Sequence, residues 1–388
     1  MTERVAIVGV GHAGFAPITA GISYKELMFE AALRAYDDAG VDARKDIGSF
    51  VGCAEDFWEG TSIFDEYMPD QLGGAMRPNQ TVTADGLFGL ATAAMLIRAG
   101  HADVVAVEGH SKASDIRSPG AIHQFAMDPI YNRPLGLPPL AVAGLEMHRY
   151  LEVSGTTEEQ CASVVAKNRR FALDNPRAAY ATEVTADDVA ASDPLWWPLR
   201  TLDVSRSADG CVVMVVASEE RARELTDVPV WILGTGWSTG AASLESRNWD
   251  EADYVRQAAD RAYAMAEIGH PASVMDLAEV DDTYSYRELM HLDALRLARP
   301  GEAGMMLEEG AFGRDGELPV NVSGGALGQG NLHEANGLAR ALECVLQLRG
   351  EAGERQIDGA QVAVAQSWRG IPTATAAVAV LAGGEVIA

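Results

Sequence analysis

Short β-branched runs alternate with amphipathic stretches along this chain, and the opening theme returns about 225 residues later. Arg4–Val8 (RVAIV) reads as a strand closed by glycines, and Tyr24–Ala39 sets Leu27, Ala31, Ala32, Leu33 and Tyr36 at helical spacing. The alternation continues through strands at Ser49–Val51 and Gln80–Thr83, an apolar helix at Ala84–Ala99 and a buried strand at Ala102–Val107. Such a pattern calls for an α/β layered fold. Val228–Gly234 (VPVWILG) then repeats the theme of Arg4–Gly9, and Asp209–Ser218 is echoed by Ala374–Gly383, which points to an internal duplication. The halves are 1–226 and 227–388. The first carries an insertion at about 112–192, where Pro119, Pro129, Pro134, Pro138 and Pro139 interrupt the pattern and helices are expected over Val142–Val153 and Glu158–Leu173. Two such halves would bury a helix layer between two sheets, a five-layered α-β-α-β-α arrangement.

Composition narrows the function classes. The 388 residues include 56 acidic and 30 basic ones, a net charge of −26 that repels phosphate backbones and anionic bilayers. Neither nucleic acid nor a membrane is an expected partner. Cys53, Cys161, Cys211 and Cys344 lie far apart with no C-x-x-C pair, so neither a zinc site nor a disulfide framework is expected, and the compartment reads as reducing. MTERVAIVGVG enters a strand pattern without the features of a secretory leader, and the longest apolar runs fall well short of the roughly 20 residues that span a bilayer. The expected location is cytoplasmic.

Five further segments lie where strands end. Gly9-x-Gly11-x-x-Gly14 has the spacing of a dinucleotide-binding turn, but Pro17 and Gly21 delay the helix to about Ser23, so it reads as a glycine-rich exit from the strand. Thr83 and Asp85 sit at a strand-to-helix corner, where a side chain either caps the helix or meets a ligand in its N-terminal field. Glu279 to Tyr286 places Asp281, Asp282, Tyr284 and Tyr286 at a strand end before a helix expected over Arg287–Leu297. Asn321–Gly337 packs five glycines and Asn331, His333 and Glu334 into one loop before a helix at Leu338–Leu348, and its histidine titrates near neutrality. Gln366–Gly370, read as a loop after a strand at Gln361–Ala365, offers Trp368 and Arg369, either for phosphate or as a stacked surface pair.

A duplicated α/β chain with these loops in this order resembles the thiolase superfamily over essentially its whole length, in particular the sterol-carrier-protein-type and archaeal-type thiolases. The resemblance implies the duplicated five-layered thiolase fold, a dimer, an acyl-CoA substrate with no bound cofactor and, in close relatives, a small OB-fold partner. The chemistry departs from the family at each loop. Where thiolases carry CASG, with the nucleophilic cysteine first, this chain has Thr83-Ala84-Asp85-Gly86. Where they carry GHPxGxxG it reads Gly330 to Gly337, with Asn331 at the histidine position, and HDCF becomes Asp281-Asp282-Thr283-Tyr284. Gln366–Gly370 has neither histidine nor cysteine.

A threonine hydroxyl is too weakly acidic to stand in for a thiolate without a strong adjacent base. The resemblance therefore narrows to thiolase-like, side-chain-cleaving steroid aldolases, and implies retro-aldol cleavage of a β-hydroxyacyl-CoA, which needs no nucleophile. On this reading Tyr284, Tyr286 and His333 are candidates for proton transfer, Asn331 donates to the thioester oxygen, and Asp281 orients these groups with Asp85 and Asp282. Thr83, Asp85, Gly325, Trp368 and Arg369 are the candidate substrate contacts, and Lys112, Arg117 or Arg369 would meet the CoA phosphates. The alternatives are a non-catalytic thiolase-like subunit of a heteromeric complex and, last, an acyltransferase with another nucleophile.

Overall fold

In the computed structural model, which describes residues 3–55, 64–241, 243–370 and 374–384, the strands of the main sheet fall into two sets. The first is β1 (Val5–Ala16), β2 (Ser49–Cys53), β3 (Asn79–Val82), β4 (Val104–Lys112) and β5 (Asp209–Ser218). The second is β6 (Val230–Thr239), β7 (Leu277–Glu279), β8 (Val362–Arg369) and β9 (Thr375–Gly383). Their hydrogen-bonded order is β3-β2-β4-β5-β1-β6-β9-β8-β7. β5 runs antiparallel to both β1 and β4, while β2 is parallel to β3 and β4. The second set repeats this: β9 is antiparallel to β6 and β8, β7 is parallel to β8, and a parallel bridge from Ala278 to Val320 stands where the third strand would be. The halves join at β1 and β6 through Ala6↔Trp231 and Ile7↔Val230.

Helices α1 (Tyr24–Ala39), α2 (Gly86–Arg98), α3 (Pro139–Ser154), α4 (Glu158–Phe171), α5 (Asp253–Met265), α6 (Ser285–Ala294) and α7 (Asn336–Arg349) supply the other layers. Strand side chains alternate between faces. Val212, Met214 and Val216 of β5 join Ala363 and Ala365 of β8 in a central core with Leu90 and Ala94 of α2 and Leu338 and Leu342 of α7. Cys211, Val213 and Val215 face the other way and pack with Ala31 and Ala35 of α1. Val362, Val364, Val378 and Val380 meet Val255 of α5 and Leu289 of α6 in a third core. The layers are therefore α1, the first-half strands, α2 with α7, the second-half strands, and α5 with α6, as the sequence led us to expect.

The duplication also shows at single residues. Ser23 and Glu26 form a reciprocal cap on α1, and Gly40 ends it at φ 66°. The helix can lie directly on β1 because Gly9 and Gly11 leave the room: a Cβ at either would collide with the backbone of Ala31, Ala35 or Ala39. β1 accordingly runs on to Ala16 rather than leaving the sheet after Val8. Gly234 and Gly236, 225 residues further on, keep the same space against Ala258 and Ala262 of α5.

A second expectation also changes: Gln366 to Arg369 continue β8, paired with Val378 to Thr375 of β9, and are not a loop. The insertion packs on the second half, with Val142 and Met147 of α3 and Val164 and Val165 of α4 beside Tyr254, Leu289 and Leu292. Among the described residues no helix is long and apolar enough to cross a membrane, and no three His, Cys, Asp or Glu side chains are grouped to hold a metal ion.

Candidate active site

The end of β8, the start of α6 and the loop before α7 converge on a cleft of about 150 Å³. Thr283, Tyr284, Asn331, His333, Trp368 and Arg369 line one side, and Ile122, His123, Ala126 and Pro139 of the insertion line the other. Asn331 is fixed by its neighbours. Its Oδ1 accepts from the backbone N–H of His333 (3.0 Å) and from Asn336 Nδ2 (2.7 Å). A backbone N–H can only donate, so this oxygen is assigned by its partner and the amide nitrogen is the group left to donate. His333 is held at φ 48°, a strained value for a residue other than glycine, with Nε2 3.0 Å from Ser207 Oγ.

Tyr284 caps the N-terminus of α6 and is walled by aromatic rings: Tyr286 stacks on it at 6.1 Å between centroids, and Trp368 meets it edge-on at 6.3 Å. Burial pushes its hydroxyl up to about 12, with the nearby Arg287 guanidinium opposing the shift. The phenol thus holds its proton at neutral pH. Arg369 pairs with Glu55 at the same cleft.

Other residues singled out from the sequence lie behind the cleft or away from it. Tyr286 points into the protein and donates to Glu146 (2.7 Å), its pKa driven well above the ordinary tyrosine value by burial. Asp281 is an ion-pair partner of Arg340 (2.8 Å) and accepts from the Thr283 N–H. Asp282 accepts from the Ala326 and Leu327 amides and from Asn168, and burial raises it to about 6. Gly325, at φ 56°, donates its N–H to Ser323 and leaves the space that Asp282 fills.

Asp85 caps α2 through the Leu87 N–H (2.9 Å) and reaches across the molecule to the Gly337 N–H (2.8 Å) in the first turn of α7. Burial raises it to about 6. Thr83 is exposed and does not line the cleft. Lys112 is buried against Asp209 (2.7 Å), with its remaining donors on Thr19 and Ser114. It is no anchor for phosphates, whereas Arg117 is exposed. The residues of the insertion that close the cleft were not foreseen: more than 150 residues separate Ile122 and His123 from Tyr284, and no local pattern marks them.

Cys53, Cys161, Cys211 and Cys344 are all buried, and burial raises each thiol well above its ordinary pKa. None lines the cleft. Residues 236–383 match the thiolase C-terminal domain-like family. Over 92% of its length the chain is 32% identical to an acetyl-CoA acetyltransferase of Methanothermobacter thermautotrophicus, covering 94% of that protein. The chain belongs to the thiolase superfamily. Within this superfamily it is 30% identical to sterol carrier protein 2 of Bos taurus over 94% of its length and 70% of that protein. It is 29% identical to the 17-hydroxy-3-oxo-4-pregnene-20-carboxyl-CoA lyase of Mycobacterium tuberculosis, covering 96% and 98% of the two chains. Among solved structures the Ltp2-ChsH2(DUF35) aldolase matches with a TM-score of 0.86 at 24% identity, all of both chains being covered. The thiolase-like fold is thus joined to a cleft that holds no thiol among its described residues.

Proposed function

We propose that this thiolase-like protein is a carbon–carbon lyase that cleaves a β-hydroxyacyl-CoA by a retro-aldol reaction. The observation that carries this reading is the replacement of the thiol site: the four cysteines are sealed in the cores, Thr83 is off the cleft, and Tyr284, Asn331 and His333 converge in it. The similarity to a steroid carboxyl-CoA lyase and the fold of an Ltp2-ChsH2(DUF35) aldolase support the same reading.

In this reaction His333 takes the proton of the substrate's β-hydroxyl, and the Cα–Cβ bond breaks as the β-carbon becomes a carbonyl. The bonding pair passes to Cα and is delocalised as the thioester enolate. Its oxygen accepts a hydrogen bond from Asn331 Nδ2, whose orientation the two donors on Oδ1 fix beforehand. Tyr284 gives a proton to Cα, which yields the shortened acyl-CoA, and solvent then takes the proton from His333 and restores that of the tyrosine. No cofactor takes part; the CoA thioester is the substrate. Trp368 and Arg369 contact it, and a steroid side chain or a similar group forms the leaving carbonyl fragment. A second thiolase-like chain and a small OB-fold protein complete the assembly, a reading supported by the two-component name of the Ltp2-ChsH2(DUF35) aldolase.

The test is mass spectrometry of β-hydroxyacyl-CoA incubations with the protein co-purified with its OB-fold partner. We expect a ketone or aldehyde together with a shortened acyl-CoA, lost in folded Tyr284→Phe and His333→Ala variants. Intact substrate across several acyl groups would overturn the lyase and leave a non-catalytic subunit.

A further inference from the structure

Behind the cleft wall lies a charged cluster that the proposed reaction does not use directly. Arg287, in the first turn of α6, is wholly buried. Its guanidinium lies 3.8 Å from the Trp368 ring centroid, 5.6 Å from that of Tyr286 and 5.8 Å from that of Tyr284. Nη1 donates to Tyr254 OH at 2.8 Å, and Nη2 donates to Glu146. Glu146 also accepts from Arg247, through Nε at 3.0 Å and Nη2 at 2.6 Å. Two buried guanidiniums thus share one carboxylate.

A buried cation is costly unless matched. Asp281 is the next acidic group, and its carboxylate is engaged by Arg340 at 2.8 Å. Tyr284 and Trp368 both line the cleft and lie against this guanidinium, and of the two only Tyr284 carries a group that can give a proton. When it gives its proton to substrate it becomes an anion beside the guanidinium.

We propose that Arg287 is a positioning residue for the lyase: it stabilises the Tyr284 tyrosinate that forms as the proton is delivered to Cα. The inference rests on the lyase reading above. The proton moves from the Tyr284 oxygen to the enolate carbon and returns to the tyrosine from solvent, and no other reactant is needed. The guanidinium acts through the ring edges and faces it contacts and never meets substrate. Besides Arg287, the charged or titratable groups facing Tyr284 are Arg247, Glu146, Asp281 and Tyr286 behind it, and His333, Glu334, His123, Arg369 and Glu55 around the cleft. Arg287 and Arg247 favour the tyrosinate, whereas Glu146 and Asp281 oppose it.

Two variants of opposite sign test this. Arg287→Met removes the cation while Arg247 keeps Glu146 paired, and Glu146→Gln removes the anion while leaving both cations. A fluorotyrosine at position 284 brings the phenol's titration into the range where the fold persists, and its ¹⁹F resonance reports the ionisation directly. We expect Arg287→Met to move that titration up and Glu146→Gln to move it down, each by about one pH unit, with Arg287→Lys close to the parent. In the unlabelled protein, kcat for β-hydroxyacyl-CoA cleavage falls about tenfold in Arg287→Met with KM unchanged, and in the fluorotyrosine protein the matching limb of the pH profile moves with the titration. Should Arg287→Met not fold, the Glu146→Gln and Arg287→Lys titrations decide.

A fluorotyrosine titration unmoved by Arg287→Met, or by Glu146→Gln where the former does not fold, overturns the inference. A titration that moves in a protein that cleaves no β-hydroxyacyl-CoA overturns the lyase reading and the catalytic role, and leaves only the electrostatic coupling.

Discussion

The two helices of the central layer are topological counterparts, each following the third strand position of its half, yet their N-terminal corners have different tasks. At the α2 corner Thr83 is exposed and Asp85 is consumed by capping. At the α7 corner Asn331 and His333 face a cleft, and the helix has no side-chain cap of its own. The candidate proton-transfer groups all come from one half, and the other supplies a carboxylate that finishes its partner helix. Duplication gave two similar corners, and the surrounding loops decide which of them opens on the cleft.

The sharpest way to break this contrast is to change one residue at each site. Tyr284→Phe is expected to lower kcat for β-hydroxyacyl-CoA cleavage by about 10²-fold or more, the usual scale of a lost acid–base group, while Thr83→Ala leaves it unchanged. An equal loss in both would place the first-half corner in the active site. Next in size is Asp85→Ala, which leaves the Leu87 and Gly337 amides buried without an acceptor. The cost is about 1–3 kcal/mol per amide, partly offset by removing a buried carboxylate, and is read from the midpoint of urea unfolding.

The outer helices should behave alike where the central corners differ. Gly11→Ala and Gly236→Ala each push a methyl group into helix backbone, at α1 and α5 respectively, and each is expected to cost about 1–3 kcal/mol in denaturation experiments. A large inequality would show that only one half needs this close contact.

The smallest effect concerns pH. Burial, with the Glu343 carboxylate adding to it, raises Glu279 above the ordinary glutamate value of 4.5. A carboxyl raised in the fold holds its proton after the unfolded chain has lost it. Its contribution to stability is therefore complete below 4.5 and declines as the pH rises toward its folded value. Glu279→Gln keeps a group able to bond Ser323 and should flatten the fall in melting temperature between pH 5 and 8, a gain at pH 8 of about 1 kcal/mol.

The sequence carried the repeated architecture well and the site unevenly. The bounds of α1 follow directly from helical spacing ended by Gly40, and the β5 and β9 runs match because both are buried on two faces. β1 and β8 are longer than their apolar runs because glycines in one serve a neighbouring helix and polar residues in the other are buried. Tyr284, Asn331, His333, Trp368 and Arg369 do come together. Tyr286 does not, since it stacks behind Tyr284 with its hydroxyl turned to the buried Glu146. Arg287 and its partner Glu146 are 141 residues apart, a pairing that only the folded chain reveals.

The reach of Asp85 to the Gly337 amide makes each half incomplete by itself. A Cβ at position 337 would strike that carboxylate, so the two positions constrain each other across 252 residues of chain. A chimaera assembled from the first half of one relative and the second half of another should then join well only when both members of this pair come with it, an aspartate on one side and a glycine on the other. The seam between the halves has a two-letter key.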